Sequence, residues 1–252
     1  MNPHPPIVVW QMGKVGSRTV YESIKSLGFA NPVFHVHFIN PENLIRVQNI
    51  YKEKGLSLPR HIYDGKILLD RYEKTGINGW KIITIVRELT RITVSSFFEN
   101  LNLYLNDHPD LLTKSGNVNI DLARKLLSEQ FGDFDESKHY VCTWFDMEIK
   151  PMIKIDVFRQ PFDHDKGYTV IQKNNIDLLI LKTELLNSTF PEAISRFLHI
   201  DFQPKLKSAN ISENKSYSAA IKQVRNDLVI PEDALNKIHS SKYMRHFYPS
   251  KT

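Results

Sequence analysis

Four short β-rich runs, Ile7 to Gln11, Val33 to Phe38, Ile82 to Arg87 and Asp177 to Lys182, are separated mostly by stretches of helical periodicity. That alternation is what most limits the folds open to this chain. A parallel crossover needs a dozen or more residues and a helix fills it, so strands that alternate with helices pair in parallel. The expected architecture is therefore α/β, in three α/β/α layers around a central parallel sheet. Ser17 to Leu27 reads as the first helix, ending before Gly28, and Asn40 followed by Pro41 supplies a cap and a first-turn residue for a second. The third run leads into a helical pattern over Arg91 to Leu105, and residues 119 to 150 are helical in pattern again. Asp156 to Gln172, with Pro161 and Gly167 inside it, reads as a β-hairpin or an irregular excursion. Two or three short helices are expected from Ser216 onward.

The chain has 252 residues, 41% of them hydrophobic, which is enough for a core without staples. No repeat, Gly/Ser linker or long single-sign charge block divides it, so one domain over residues 1–252 is expected. Its single cysteine, Cys142, cannot close an internal disulfide or build a thiolate cluster, which makes a reducing cytoplasm the expected setting. No apolar run approaches the ~20 residues of a membrane helix. Met1 to Pro6 has no basic region ahead of a signal-peptide core, so secretion is not expected either. The formal net charge is +5, and residues 205 to 252 carry nine Lys or Arg against four Asp or Glu. A basic helical end of this kind suits an anionic ligand, or is a solvated surface.

The run Trp10-Gln11-Met12-Gly13-Lys14-Val15-Gly16-Ser17-Arg18-Thr19 falls where the first strand turns into the first helix. Backbone N–H groups at a helix N-terminus lack intrahelical partners and carry partial positive charge, so they can wrap a phosphate or a sulfonate. Gly13 and Gly16 allow close approach, Lys14 adds a full charge, and the hydroxyls of Ser17 and Thr19 add donors. The other reading is a plain strand-to-helix turn with a serine cap. The loop is shorter than a Walker motif and its Lys precedes the second Gly, so ATP hydrolysis is disfavoured. A second cluster, Arg87-Glu88-Leu89-Thr90-Arg91-Ile92-Thr93-Val94-Ser95, follows the third strand. Arg87 lies at a carboxyl strand end, where open α/β sheets bind ligands, and an Arg fork with the Ser95 hydroxyl would make a second phosphate site. Alternatively, Arg87 and Glu88 form a surface ion pair.

Two such clusters in this order resemble the sulfotransferases that use 3′-phosphoadenylyl sulfate. The chain is similar, more closely, to the bacterial putative capsular polysaccharide synthesis proteins, a sulfotransferase-like family. That likeness rests on the Gln-Met-Gly-Lys-Val-Gly-Ser start, Trp144-Phe145-Asp146 with Glu148, Asp156-Val157-Phe158, Pro161-Phe162-Asp163, Leu179 to Leu185, and Asn214-Lys215-Ser216-Tyr217-Ser218. It departs from the pattern at Leu89, where a proline is usual. The resemblance implies a P-loop-like sulfotransferase fold and a sulfuryl donor, 3′-phosphoadenylyl sulfate, used without a metal. Lys14, Val15, Gly16, Ser17, Arg18 and Thr19 would hold its 5′-phosphosulfate and Arg87 with Ser95 its 3′-phosphate. Lys215 would be a late-loop cation over the nucleotide, although a solvated Lys would look the same. The implied acceptor is a hydroxyl of a capsular or cell-surface polysaccharide; nucleic acid is not an expected partner.

Sulfuryl transfer also needs a group to take the acceptor's proton. His35 and His37 alternate along the second strand and so share a face, at the carboxyl edge near Lys14. They are the candidate bases, or hydrogen-bonded structural groups, and Glu148 is the competing candidate. Asp163-His164-Asp165 matches a short Asp-x-Asp pattern of metal-dependent glycosyltransferases. It leaves open a glycosyltransferase of capsule synthesis, and a non-catalytic module binding a nucleotide or an acidic glycan is the remaining alternative.

Overall fold

A computed structural model gives the fold of residues 4–173, 175–207 and 217–249. The chain forms two compact units, each assembled from two stretches: residues 1–87 with 143–209, and residues 88–142 with 210–252.

The first unit is built on a five-stranded sheet in the order β2-β1-β3-β5-β4, with β1 at Ile7–Trp10, β2 at Val33–Val36, β3 at Lys81–Val86, β4 at Tyr168–Lys173 and β5 at Ile176–Lys182. The pairs β1 with β2, β1 with β3 and β3 with β5 are parallel, with Ile7 opposite both Val33 and Lys81, and Ile83 opposite Leu179. Central parallel strands lie between covered faces and read as continuous apolar runs. Accordingly Val8, Val9, Trp10, Ile82, Ile83, Ile85, Leu178, Leu179 and Leu181 are wholly buried. The expected all-parallel sheet needs correction at one edge, because β4 runs antiparallel to β5. Three of the six residues of β4, Val170, Gln172 and Lys173, are exposed, as suits an edge strand. The reading of Asp156 to Gln172 is met in part, with a 3₁₀ turn at Val157–Arg159 before the strand begins.

Chain direction across the sheet reverses at β1. Helix α1, Ser17–Lys25, leads from β1 outward to β2, while α2, Pro41–Glu53, and α3, Arg60–Thr75, occupy the return from β2 past β1 to β3. The right-handed rule for parallel crossovers assigns these two connections to opposite faces. Asn40 caps α2 as expected, its side chain accepting from the Glu42 amide at 2.9 Å, with Pro41 in the first turn. The second strand stops at Val36 rather than Phe38, so His37 belongs to the segment leaving the sheet.

Gly65, in α3, marks where that segment and the helix touch. A methyl group there would collide with the carbonyl oxygen of Phe38 and sit 3.1 Å from Leu44 Cδ2. On an exposed helix face alanine is favoured over glycine by about 1 kcal/mol. Here Gly65→Ala is expected to destabilise the protein by about 1–3 kcal/mol, the usual cost of overpacking. Urea denaturation of the two proteins measures this, and a gain in stability would mean that α3 does not press on the exit of β2.

The second unit is helical. Glu88 caps α4, Leu89–Glu99, by accepting from the Thr90 and Arg91 amides, each at 2.9 Å. The unit also includes helices at Leu101–Tyr104, Ile120–Gly132, Ser218–Asp227, Glu232–Ser240 and Lys242–Phe247, so the basic terminal stretch contains three short helices among the described residues. Leu127, Val224, Ile238, Tyr243 and Phe247 are wholly buried. The Tyr243 and Phe247 rings meet edge to face at 5.2 Å. Among the described residues, no helix is long and apolar enough to cross a membrane.

Candidate functional site

Between β1 and α1 the chain makes a tight loop in which Gly16, the residue before the helix, has φ 80° and Lys14 has φ 67°. Glycine tolerates the left-handed region, whereas lysine enters it only where neighbours hold it there. Two side chains do so. Arg87, just past β3, donates from Nη1 to the Lys14 carbonyl at 2.9 Å. Thr183, just past β5, aims its hydroxyl at the carbonyls of Val15, 2.6 Å away, and Val86, 2.9 Å away. In a trans peptide the N–H points opposite to the C=O of the same unit. These bonds therefore turn the amides of Val15 and Gly16 away from Arg87 and Thr183. The first amides of α1 also lack intrahelical acceptors, so the loop can gather several donors around one anion. It stands where the strand order reverses, the position at which open α/β sheets bind ligands.

Beside the loop lies a cluster of histidines. The His35 and His37 rings are 5.5 Å apart, although His37 lies past the end of the strand, and His61 from the start of α3 packs on His37 at 4.4 Å. His35 Nε2 is 2.9 Å from the Ser17 hydroxyl and 3.2 Å from Gln11 Nε2. His37 Nδ1 is 2.8 Å from the Gln11 carbonyl, which can only accept, so that nitrogen carries the proton. His35 and His61 line a cleft of about 460 Å³ together with Arg18, Tyr21, Lys25, Arg60 and Asp64. Burial, with His37, His61 and Arg18 alongside, pushes the His35 imidazole down to about 3. Burial and His37 push His61 down to about 3 as well. Burial also lowers His37, partly offset by its bond to Gln11. All three rings are consequently neutral at physiological pH.

The Trp144-Phe145-Asp146-x-Glu148 motif supports this cluster from behind. The Trp144 indole donates to the His37 carbonyl at 3.1 Å. Glu148, buried in a π-helical turn over Phe145–Ile149, accepts from the amides of Ile39 at 3.0 Å and Asn40 at 3.2 Å, and from Asn43 Nδ2 at 2.7 Å. Both carboxylate oxygens are thereby engaged in tethering the exit of β2. Burial raises Glu148 to about 7, against hydrogen bonds that favour the ionised form.

The remaining expected residues distribute as follows. Lys14, Val15, Gly16, Ser17, Arg18 and Thr19 lie together in the loop and the first turn of α1, with Ser17 buried and the Arg18 side chain 3.8 Å from Glu22. Arg87 closes the first unit. Ser95 lies in the second unit, on α4, where its hydroxyl accepts from Arg225 Nη2 at 2.8 Å. Lys215 lies outside the described residues. Asp163 holds a turn, accepting from the Lys166 amide at 2.9 Å and pairing with the Lys166 ammonium at 3.3 Å. Among the described residues, no group of three or more His, Cys, Asp or Glu is arranged to hold a metal ion. Sequence reasoning missed Gln11, Thr183 and His61. For His61 the signal was the helical spacing of Ile62, Leu68, Leu69 and Tyr72; for Thr183 there was none, since it is 168 residues from the carbonyl it holds.

Fold and site together define an α/β protein that carries a strand-loop-helix turn and a neutral histidine cluster at the reversal point of its sheet. A sequence profile of the putative capsular polysaccharide synthesis protein family matches residues 117–249, more than half of the chain. The chain belongs to that family. The matched stretch includes Trp144, Glu148 and Thr183, whereas Lys14, His35, Arg87 and Ser95 precede it. No curated protein and no solved structure matches the chain.

Proposed function

We propose that the protein is a sulfotransferase that moves a sulfuryl group from 3′-phosphoadenylyl sulfate to a hydroxyl of a capsular or cell-surface polysaccharide. The observation that carries this reading is the Lys14 loop, whose carbonyls are occupied by Arg87 and Thr183 and whose amides are turned the other way, next to His35 in an open cleft. Family membership supports the polysaccharide as the material acted upon. In this reading the amides of Val15 and Gly16 and the Ser17 and Thr19 hydroxyls bind the 5′-phosphosulfate. Lys14 neutralises the bridging oxygen as its bond to sulfur breaks, and catalysis is mainly positioning and charge stabilisation. Of the two strand histidines, His35 is the better base, because it lines the cleft and His37 does not.

Adenosine 3′,5′-bisphosphate is expected to bind without added metal and to raise the melting temperature by mass action on the folded state. Calorimetry and thermal melts with this nucleotide, and with a sugar nucleotide plus Mn2+, test the assignment. Binding of the sugar nucleotide alone would replace the reading with that of a glycosyltransferase.

A further inference from the structure

We infer that the Ser17 hydroxyl masks His35 in the free protein, and that binding of the sulfuryl donor removes the mask, so that the base becomes competent only when the donor is in place. This rests on the sulfotransferase reading and adds to it an order of events.

The geometry is specific. Ser17 is the first residue of α1 and is buried, with its hydroxyl 2.9 Å from His35 Nε2. Gln11 Nε2 stands 3.2 Å from the same nitrogen. The side chain of the buried Gln11 lies between the two histidines, 3.2 Å from His35 Nε2 and 3.2 Å from His37 Nδ1. A neutral imidazole nitrogen without a proton offers one lone pair, and the Ser17 hydroxyl is the nearer group to this one. A lone pair so occupied cannot also take a proton from an incoming hydroxyl. Yet Ser17 sits at the N-terminal turn that would receive the donor's phosphate, where a phosphate oxygen is a stronger acceptor than a neutral ring nitrogen. One hydroxyl hydrogen cannot serve both. Moving it to the phosphate releases His35 Nε2 from its shorter contact, the 2.9 Å one to Ser17.

Charge acts in the same direction. The groups around His35 are Ser17, Arg18 and Tyr21 from α1, Gln11 from the loop, His37 from its own strand's exit and His61 from α3, with Glu22, Lys25, Arg60 and Asp64 along the cleft. Arg18 is among the groups holding the imidazole low, and Lys14 acts similarly on His37. A bound phosphosulfate offsets both cations and makes the imidazole more basic. Transfer then balances as follows. The acceptor oxygen attacks sulfur as its proton passes to His35 Nε2, the bond from sulfur to the bridging phosphate oxygen breaks, and adenosine 3′,5′-bisphosphate departs. The imidazolium returns its proton to water, and Ser17 swings back.

The test uses the full chain with 15N-labelled histidine, the His35 signals being assigned by loss in His35→Gln. Long-range proton–nitrogen spectra are recorded with and without adenosine 3′,5′-bisphosphate, and calorimetry is run in parallel. The expected result is an unprotonated, hydrogen-bonded Nε2 in the free protein. With saturating nucleotide, Nε2 should move toward the position of an unbonded nitrogen and the His35 pKa should rise by about one unit or more. In Ser17→Ala, Nε2 should begin closer to the unbonded position than in the wild-type protein. A protonated Nε2 in the free wild-type protein overturns the masking without recourse to any variant. Calorimetric binding with no change at His35 overturns the coupling and leaves the sulfotransferase reading standing. Absence of nucleotide binding overturns both.

Discussion

Lys14→Ala is expected to lower sulfuryl transfer by roughly 100- to 1,000-fold while leaving the fold intact, which is the usual consequence of removing one group that stabilises developing charge. The residue at this position already has a left-handed backbone, φ 67°, and its carbonyl is held by Arg87. Alanine at the same φ bears no greater backbone strain, so the loop is expected to persist. The lost ammonium is needed most when the bridging oxygen acquires charge, so turnover should fall much more than nucleotide affinity. Initial rates with labelled donor, beside calorimetry with adenosine 3′,5′-bisphosphate, separate the two effects. Equal losses in affinity and turnover would make Lys14 a binding residue only, and an unaltered rate would remove it from the mechanism.

Mild acid is expected to destabilise the first unit strongly, because three of its histidines are neutral in the fold. His35 and His61 are pushed down to about 3 from 6.5, and His37 is lowered too. Below pH 6.5 the unfolded chain binds protons that the folded one refuses, so this contribution to stability falls as the pH drops from 6.5 toward 3. Glu148 has the opposite sign. Its carboxyl is raised from 4.5 to about 7, so the stability it contributes is complete below pH 4.5 and is lost as the pH rises through 7. Between pH 6.5 and 4.5 the histidines oppose one carboxyl, and the net result expected is a loss of stability as the pH falls. Urea midpoints at half-unit steps over this window measure it. His61→Asn should reduce the slope and Glu148→Gln should steepen it. A flat or rising stability toward pH 4.5 would show that the rings are protonated in the folded protein.

Much of the fold was legible because its signals are local. The apolar runs of β1, β3 and β5 follow directly from burial on both faces, and the Asn40-Pro41 cap and the helix beginning at Ser17 depend on residues within a turn of each other. The edge strand β4 was harder to read, since half of its residues face outward and its partner is supplied by the next strand. The mixed sheet is therefore a consequence of pairing that periodicity alone does not encode.

At the candidate site, the spacing of His35 and His37 was enough to suggest that they lie together, although His37 is past the end of the strand, and glycine spacing was enough to single out the loop. What those groups are chemically was decided elsewhere. The direction of the loop amides depends on Arg87 and Thr183, and the neutrality of the histidines depends on burial and on His61 from a helix 24 residues beyond His37. The engagement of Glu148 depends on backbone amides more than 100 residues away. Residue type and spacing determine which side chains are available and which face they share. Protonation, hydrogen-bond direction and access to a cleft are set by desolvation and by partners distant in the chain, which only the folded structure brings within a few ångströms.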